Sequence, residues 1–200
     1  MRIFEPASKL RSLELMEQFF GIKHSRKSYY KIAPQCVDLK EKVEMRVVDF
    51  AKEHYSFNFD IVFYDVTTLY FETFEEDELR KNGFSKDNKS QQPQILVALM
   101  VTKEGFPIAF EIFSGNTFEG HTIIPTIKNF IGRNKVKEFT VVADAAMISS
   151  ENITQLNQNE INYIVGARLG NLSIQLLGTI DEQIVRQDGK SIRIKTDLGY

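Results

Sequence analysis

Hydrophobic and polar positions change their spacing twice along this chain. In residues 8–20, Leu10, Leu13, Met16 and Phe20 recur at near-helical intervals, which predicts a short amphipathic helix. A polar linker spotted with aromatics follows over residues 21–36 and holds Pro34 near its end. Asp38, with Glu41 three residues on, has the form of a capping box. Val43, Val47, Phe50 and Ala51 then share one helical face, so a second helix is expected over 38–54. Residues 1–55 therefore read as a helical N-terminal region.

From Phe59 to Phe71 the pattern is β-branched and aromatic, the signature of a strand. It is apolar at both parities, as expected of a central strand covered on both faces, with Asp65 as the exception in its middle. Residues 72–93 are polar and predict loop or short helix, with Glu75, Glu76, Asp77 and Glu78 as a solvated helix start. Gln94–Val101 and Phe106–Phe113 predict two strands joined by the turn residues Lys103, Glu104 and Gly105. Ile123, Ile124, Ile127, Phe130 and Ile131 form a helical stripe, with Pro125 in the first turn where a missing N–H is tolerated. Glu138–Asp144 predicts a buried strand, Ser149 or Ser150 caps a helix running to Asn159, and Asn162–Ala167 predicts a fifth strand. Beyond Leu172 the pattern is strand-like, with an Asp188-Gly189 hairpin signal between 182–186 and 191–195.

The predicted order is β-β-β-α-β-α-β, then further β. Three antiparallel strands followed by αβαβ is the layout of the ribonuclease H-like fold, so the expected class is α/β. The expected division is a helical region over 1–55, a core over 56–171, and the opening of a β-rich insertion over 172–200.

Composition narrows the classes. The chain has 200 residues, 42% hydrophobic, 26% charged, with a formal net charge of −2. That is too apolar and too nearly neutral for a disordered chain. Its single cysteine, Cys36, cannot form an internal disulfide, which makes a reducing compartment the expectation. No apolar run reaches the roughly 18 residues that cross a bilayer, and Met1–Leu10 has no signal-peptide core. A cytoplasmic protein without a membrane partner is expected. Net charge runs from +3 over residues 1–58 to −4 over 59–144 and −1 over 145–200. Global charge thus gives no support for nucleic-acid binding. The mildly basic stretch His24–Lys31 is a local candidate whose plainer reading is a solvated loop.

Asp65 and Asp144 are the residues whose chemistry needs explaining. A carboxylate within so apolar a strand is costly to bury unless paired or metal-bound. If the first and fourth strands are neighbours, the two acids can share a cation. Mg²⁺ takes one or two carboxylates plus waters and phosphate oxygens. Two such ions about 4 Å apart serve phosphoryl displacement. An Asp closing a strand can equally cap the next turn, and that reading stays open for Asp144. Glu119, three residues after Asn116, has the spacing of an Asn-led cap. His121 and Arg168 could each contact a phosphate, on slight evidence. His24 and His54 have no partner at zinc-ligand spacing.

Several ordered motifs together resemble the DDE transposases of bacterial insertion sequences, in the IS4 superfamily and closest to its IS1634-like branch. They are Phe63–Glu72 around Asp65, Glu78–Asp87, Gly105–Ala109, Gly115–Thr122, Val141–Ser149 around Asp144, and Ile164–Arg168. The resemblance covers roughly residues 45–170. It implies a metal-dependent enzyme that hydrolyses DNA at element ends and joins the freed 3′-hydroxyl to a target. Asp65 and Asp144 match the family's first two aspartates and would hold Mg²⁺ or Mn²⁺. Thr67, Asn116, Thr117, Glu119 and Arg168 would support them. The implied partners are double-stranded DNA and a second copy or a full-length transposase, in the bacterial nucleoid.

Two departures stand out. The family often has Gly soon after the second aspartate, where this chain has Ala146. A positive φ there would cost about 1 kcal/mol for Ala and shift Asp144. The family's third acid lies in a Tyr-x2-Arg-x3-Glu-x6-Lys motif that these residues lack. With the sequence stopping at Tyr200 inside what reads as an insertion, the expectation is a truncated and inactive copy. Other readings are a non-catalytic remnant that binds DNA or transposase, and a different ribonuclease H-like nuclease using Glu119 or Glu151 as third acid.

Overall fold

The computed structural model describes the chain except residues 1–4, 57–58, 85–90, 135, 137, 148, 167–169, 171 and 195–200. It divides into two units, Met1–Arg46 and Val47–Tyr200.

In the first unit, Ser8 opens α1 (Lys9–Phe20) by accepting the Arg11 N–H on its hydroxyl at 3.1 Å. Gly21 closes it at φ +64, donating its N–H to the Glu17 carbonyl. Of the expected apolar stripe only Leu13 is buried, with Ser12 and Leu15, while Leu10 and Phe20 are exposed. The expected linker is helical, in α2 (Arg26–Lys31) and α3 (Ala33–Asp38). The basic stretch thus lies largely on a short helix that buries none of its residues. Asp38 does not cap the next helix, α4 (Lys40–Tyr55). It ends α3, and Leu39 between them keeps helical angles (φ −90, ψ −7), so the backbone passes on without a cap. Glu44 is buried and ion-pairs with Lys40 one turn earlier at 3.2 Å.

The second unit is built on a five-stranded sheet of order β3-β2-β1-β4-β5. The strands are β1 (Ile61–Tyr70), β2 (Gln94–Thr102), β3 (Pro107–Ser114), β4 (Thr140–Ala143) and β5 (Asn162–Val165). β1–β2 and β2–β3 are antiparallel; β1–β4 and β4–β5 are parallel. Two helices make the parallel crossovers, α5 (Ile123–Asn134) and α6 (Ser150–Gln158). The predicted β-β-β-α-β-α-β order is therefore the observed one, and the class is mixed α/β. Short 3-10 turns precede α5 and follow β4: η1 (Glu119–His121) and η2 (Ala145–Met147).

One face of the sheet carries the core. Val62, Tyr64 and Val66 of β1, Leu96, Ala98 and Met100 of β2, and Val141 and Ala143 of β4 are buried. They pack in one cluster with Val48 and Ala51 of α4, Ile123, Ile127 and Phe130 of α5, and Leu156 of α6. Each fully buried aliphatic or aromatic side chain contributes roughly 1.5–3 kcal/mol. Glu111 of β3 pairs with Arg133 of α5 at 2.9 Å, tying that helix to the sheet.

Among the described residues the other face of β1 is partly exposed, which corrects the expectation of a strand covered on both sides. β1 alternates strictly between buried and exposed over Ile61–Thr67. Phe63 (41% exposed), Leu99 (40%) and Ile112 (44%) lie on the uncovered side. Apolar residues at both parities gave the look of full burial, yet among the described residues only one parity packs into the core with the helices.

Two further expectations fail. The acidic run 75–78 is not helical. Asp77 instead accepts the N–H groups of Leu79 and Arg80 on Oδ1, and these bonds, the Arg80 backbone bond foremost, hold its carboxyl below the usual range. The strand-like pattern beyond Leu172 opens with a helix, α7 (Ile174–Gln183), capped by the Ser173 hydroxyl. Gly189 does turn at φ +74, but no described residue of its flanks is in a strand. Among the described residues no helix is long and apolar enough to cross a membrane.

Candidate active site

The parallel pairing of β1 with β4 runs from Ile61↔Thr140 to Tyr64↔Ala143. Asp65 and Asp144 are each the next residue, so the two acids stand at the same level, one on β1 and one directly after its neighbour β4. Neighbouring strands are roughly 4.8 Å apart. Asp65 belongs to the exposed parity of β1, and Asp144 is exposed directly after β4 ends. Both carboxylates are thus in water, not desolvated inside a strand as the sequence suggested. An all-oxygen pair at this spacing suits a hard divalent cation, which takes one or two carboxylates and fills its shell with water.

Asp144 is oriented locally. Its Oδ1 accepts the Ala146 N–H at 2.6 Å and its carbonyl accepts the Met147 N–H at 3.2 Å, which folds η2 beneath it. The cap reading and the ligand reading are therefore compatible, since Oδ1 serves the turn and, among the described residues, Oδ2 has no hydrogen-bond partner. Ala146 does not have a positive φ, so the feared strain at this position is absent.

The core side of β1 is tied to η1. Thr122 Oγ1 donates to the Glu119 carbonyl at 2.5 Å, so the Tyr64 hydroxyl, 2.6 Å away, donates to Thr122 Oγ1. Burial pushes the Tyr64 phenol up to about 12, outweighing the downward pull of the hydrogen bonds to Thr122 and Thr126, and the Asp65 and Glu119 carboxylates add smaller upward pushes.

The supporting residues are dispersed. Thr67 is exposed on β1, at the same parity as Asp65. Asn116 does not cap η1; its Oδ1 accepts the Ser114 hydroxyl at 2.8 Å, and Phe118 stands at the cap position. Thr117 turns the chain by donating its N–H to the Ser114 carbonyl. Glu119 begins η1. His121 packs edge-on to Phe118 and lines a shallow cleft with Lys128 and Glu151. Arg168 lies outside the described residues. Among the described residues no three His, Cys, Asp or Glu side chains gather as a metal group, so neither Glu119 nor Glu151 joins the two aspartates.

Sequence reasoning overlooked two anchors. Asn152 is 4% exposed and Gln94 2%. Gln94 Nε2 donates to the Gly115 carbonyl at 2.8 Å and clasps the start of the 115–122 loop to β2. Each is a polar residue at a core-facing position of its element, the one signal that marks it in sequence.

The family model described as transposase DDE domain matches residues 57–197. No curated protein matches the chain. Among solved structures, the Mos1 transposase paired-end complex with left transposon end is 9% identical at a TM-score of 0.37, covering 94% of this chain and 66% of that one. The Mos1 strand transfer complex is 12% identical at 0.38, covering 90% and 61%. The Mos1 mariner paired-end complex with Mn is 13% identical at 0.36, covering 71% and 47%. This chain thus spans about two thirds or less of each.

Proposed function

This chain belongs to the transposase DDE domain family, and from that premise we propose that Asp65 and Asp144 hold a divalent cation for phosphodiester cleavage and strand transfer in DNA. The carrying observation is their placement at one level, Asp65 on β1 and Asp144 directly after the parallel neighbour β4, one residue past Tyr64↔Ala143. A bound Mg²⁺ or Mn²⁺ would supply activation of the attacking oxygen and stabilisation of the leaving one. The chain's own residues orient the acids. Ala146 N–H fixes Asp144 Oδ1, and β1 pairing fixes Asp65. Thr67, Asn116, Thr117, Glu119 and Arg168 are supporting residues on the motif resemblance. On the same motif resemblance we extend the proposal to the IS4 superfamily and its IS1634-like branch. Its partners in this reading are double-stranded DNA and a second transposase chain, in the bacterial nucleoid.

With no third acid gathered at the pair among the described residues, these 200 residues bind metal weakly and do not cut DNA alone. The test is Mn²⁺ titration of the parent, D65A and D144A proteins, with strand-transfer assays on element-end DNA. Weak binding that both variants abolish supports the site. Binding indifferent to both variants overturns it. Robust strand transfer by the parent overturns the claim of inactivity.

A further inference from the structure

The strand ladder that aligns the two acids ends at Tyr64↔Ala143, one residue before either of them. Beyond that point Asp144 depends on η2, and the support of η2 lies elsewhere. Asn152, in the first turn of α6, donates both N–H bonds of its amide. One goes to the Met147 carbonyl at 2.8 Å, the last residue of η2, and the other to the Gly120 carbonyl at 2.6 Å, in the middle of η1. η1 is in turn held to β1 by the relay from Tyr64 through Thr122 to the Glu119 carbonyl. A continuous path therefore runs from Asp65 through Tyr64, Thr122, η1, Asn152 and η2 to Asp144.

We infer that Asn152 is the positioning residue that sets Asp144 against Asp65, by clamping the turn after Asp144 to the turn anchored beside Asp65. Its consequence for metal binding rests on the reading of the two aspartates as ligands. The geometric part does not.

A structural amide that merely filled the core would stabilise the whole unit evenly. A clamp acts locally. In N152A, the Ala146 and Met147 amides exchange with solvent about tenfold faster or more, while β1 and β4 ladder amides such as Val62 and Val141 keep their protection. Mn²⁺ affinity falls roughly 10-fold, the usual cost of losing a group that orients a metal ligand. T122V, which removes the hydroxyl between Tyr64 and η1 while keeping its shape, weakens Mn²⁺ in the same direction and keeps the inference testable should N152A not fold. Unchanged exchange at Ala146, or a loss of protection spread evenly over the sheet, overturns the inference. Local loosening at Ala146, with Mn²⁺ binding indifferent to D65A and D144A, upholds the clamp and overturns the metal reading instead.

Discussion

Tyr64 and Thr122, 58 positions apart, meet in a buried 2.6 Å hydrogen bond directly beneath the strand position that turns Asp65 to solvent. The bond exists because β1 alternates: the parity that exposes the acid sends its neighbour into the core.

This contact gives the protein an alkaline signature. The Tyr64 phenol is pushed up to about 12 by burial, above the ordinary value of 10. Folding thus favours the protonated phenol. Its contribution is complete below pH about 10 and is lost as pH climbs through about 12, a change of roughly 2–3 kcal/mol. Y64F costs about 1 kcal/mol at neutral pH for the lost hydrogen bond. Chemical denaturation of parent and Y64F between pH 9 and 12 checks this (roughly the accessible alkaline window). The parent's advantage of about 1 kcal/mol should vanish and then reverse as pH rises through that range, because only the parent loses the roughly 2–3 kcal/mol.

The two aspartates should be separable from stability. Both are exposed, so D65A shifts unfolding free energy by no more than about 0.5 kcal/mol. D144A costs about 1 kcal/mol, because the Ala146 N–H loses its acceptor as at a helix cap. Calorimetry in the absence of metal should find both proteins folded, with D144A melting lower.

Glycine substitutions should divide sharply. A Cβ on Gly115 would lie 2.1 Å from the Gln94 carbonyl oxygen and 2.4 Å from that of Lys81, both backbone atoms. G115A therefore destabilises by about 1–3 kcal/mol or more. Gly132 sits in α5 with open space around its Cβ position, so G132A stabilises by roughly 0.5–1 kcal/mol. Paired urea melts measure both.

Glu111 and Arg133 are each 19% exposed at the side chain. A double-mutant cycle to alanine should return a coupling of about 1 kcal/mol, more than a fully solvated pair gives, and it should fall with added salt.

Element order was readable because period and turn chemistry agree over most of the core. The run Ile61–Tyr70, the stripe on α5 and the Ser149 cap each point one way. Asp65 and Asp144 stood out as acids among apolar neighbours, and the parallel neighbour strands they required are present. Their solvation was not readable. Hydropathy reports what a side chain prefers, whereas exposure depends on whether a partner reaches it, and among the described residues Phe63 and Leu99 stay about 40% exposed. The region after Leu172 misled for a related reason. Its Ile, Leu and Thr residues suit either state, and the Ser173 cap decides for helix. Asn152 was passed over although it shares the helix face of Ile153 and Leu156, because a polar residue in a helix's first turn also suits a solvated cap. Its role exists only once η1 and η2 are adjacent.

The uncovered sheet face makes the acids' chemistry a question of solvent. Beside Asp65, Phe63 and Leu99 are hydrocarbon, yet both are partly exposed and water reaches them, so the local dielectric stays high. A cation there feels about 1 kcal/mol per unit charge at 4 Å, against about 4 kcal/mol where the surroundings act as ε near 20. Ionic strength becomes the controlling variable, and measurements in dilute buffer will report a stickier site than measurements at about 0.15 M salt.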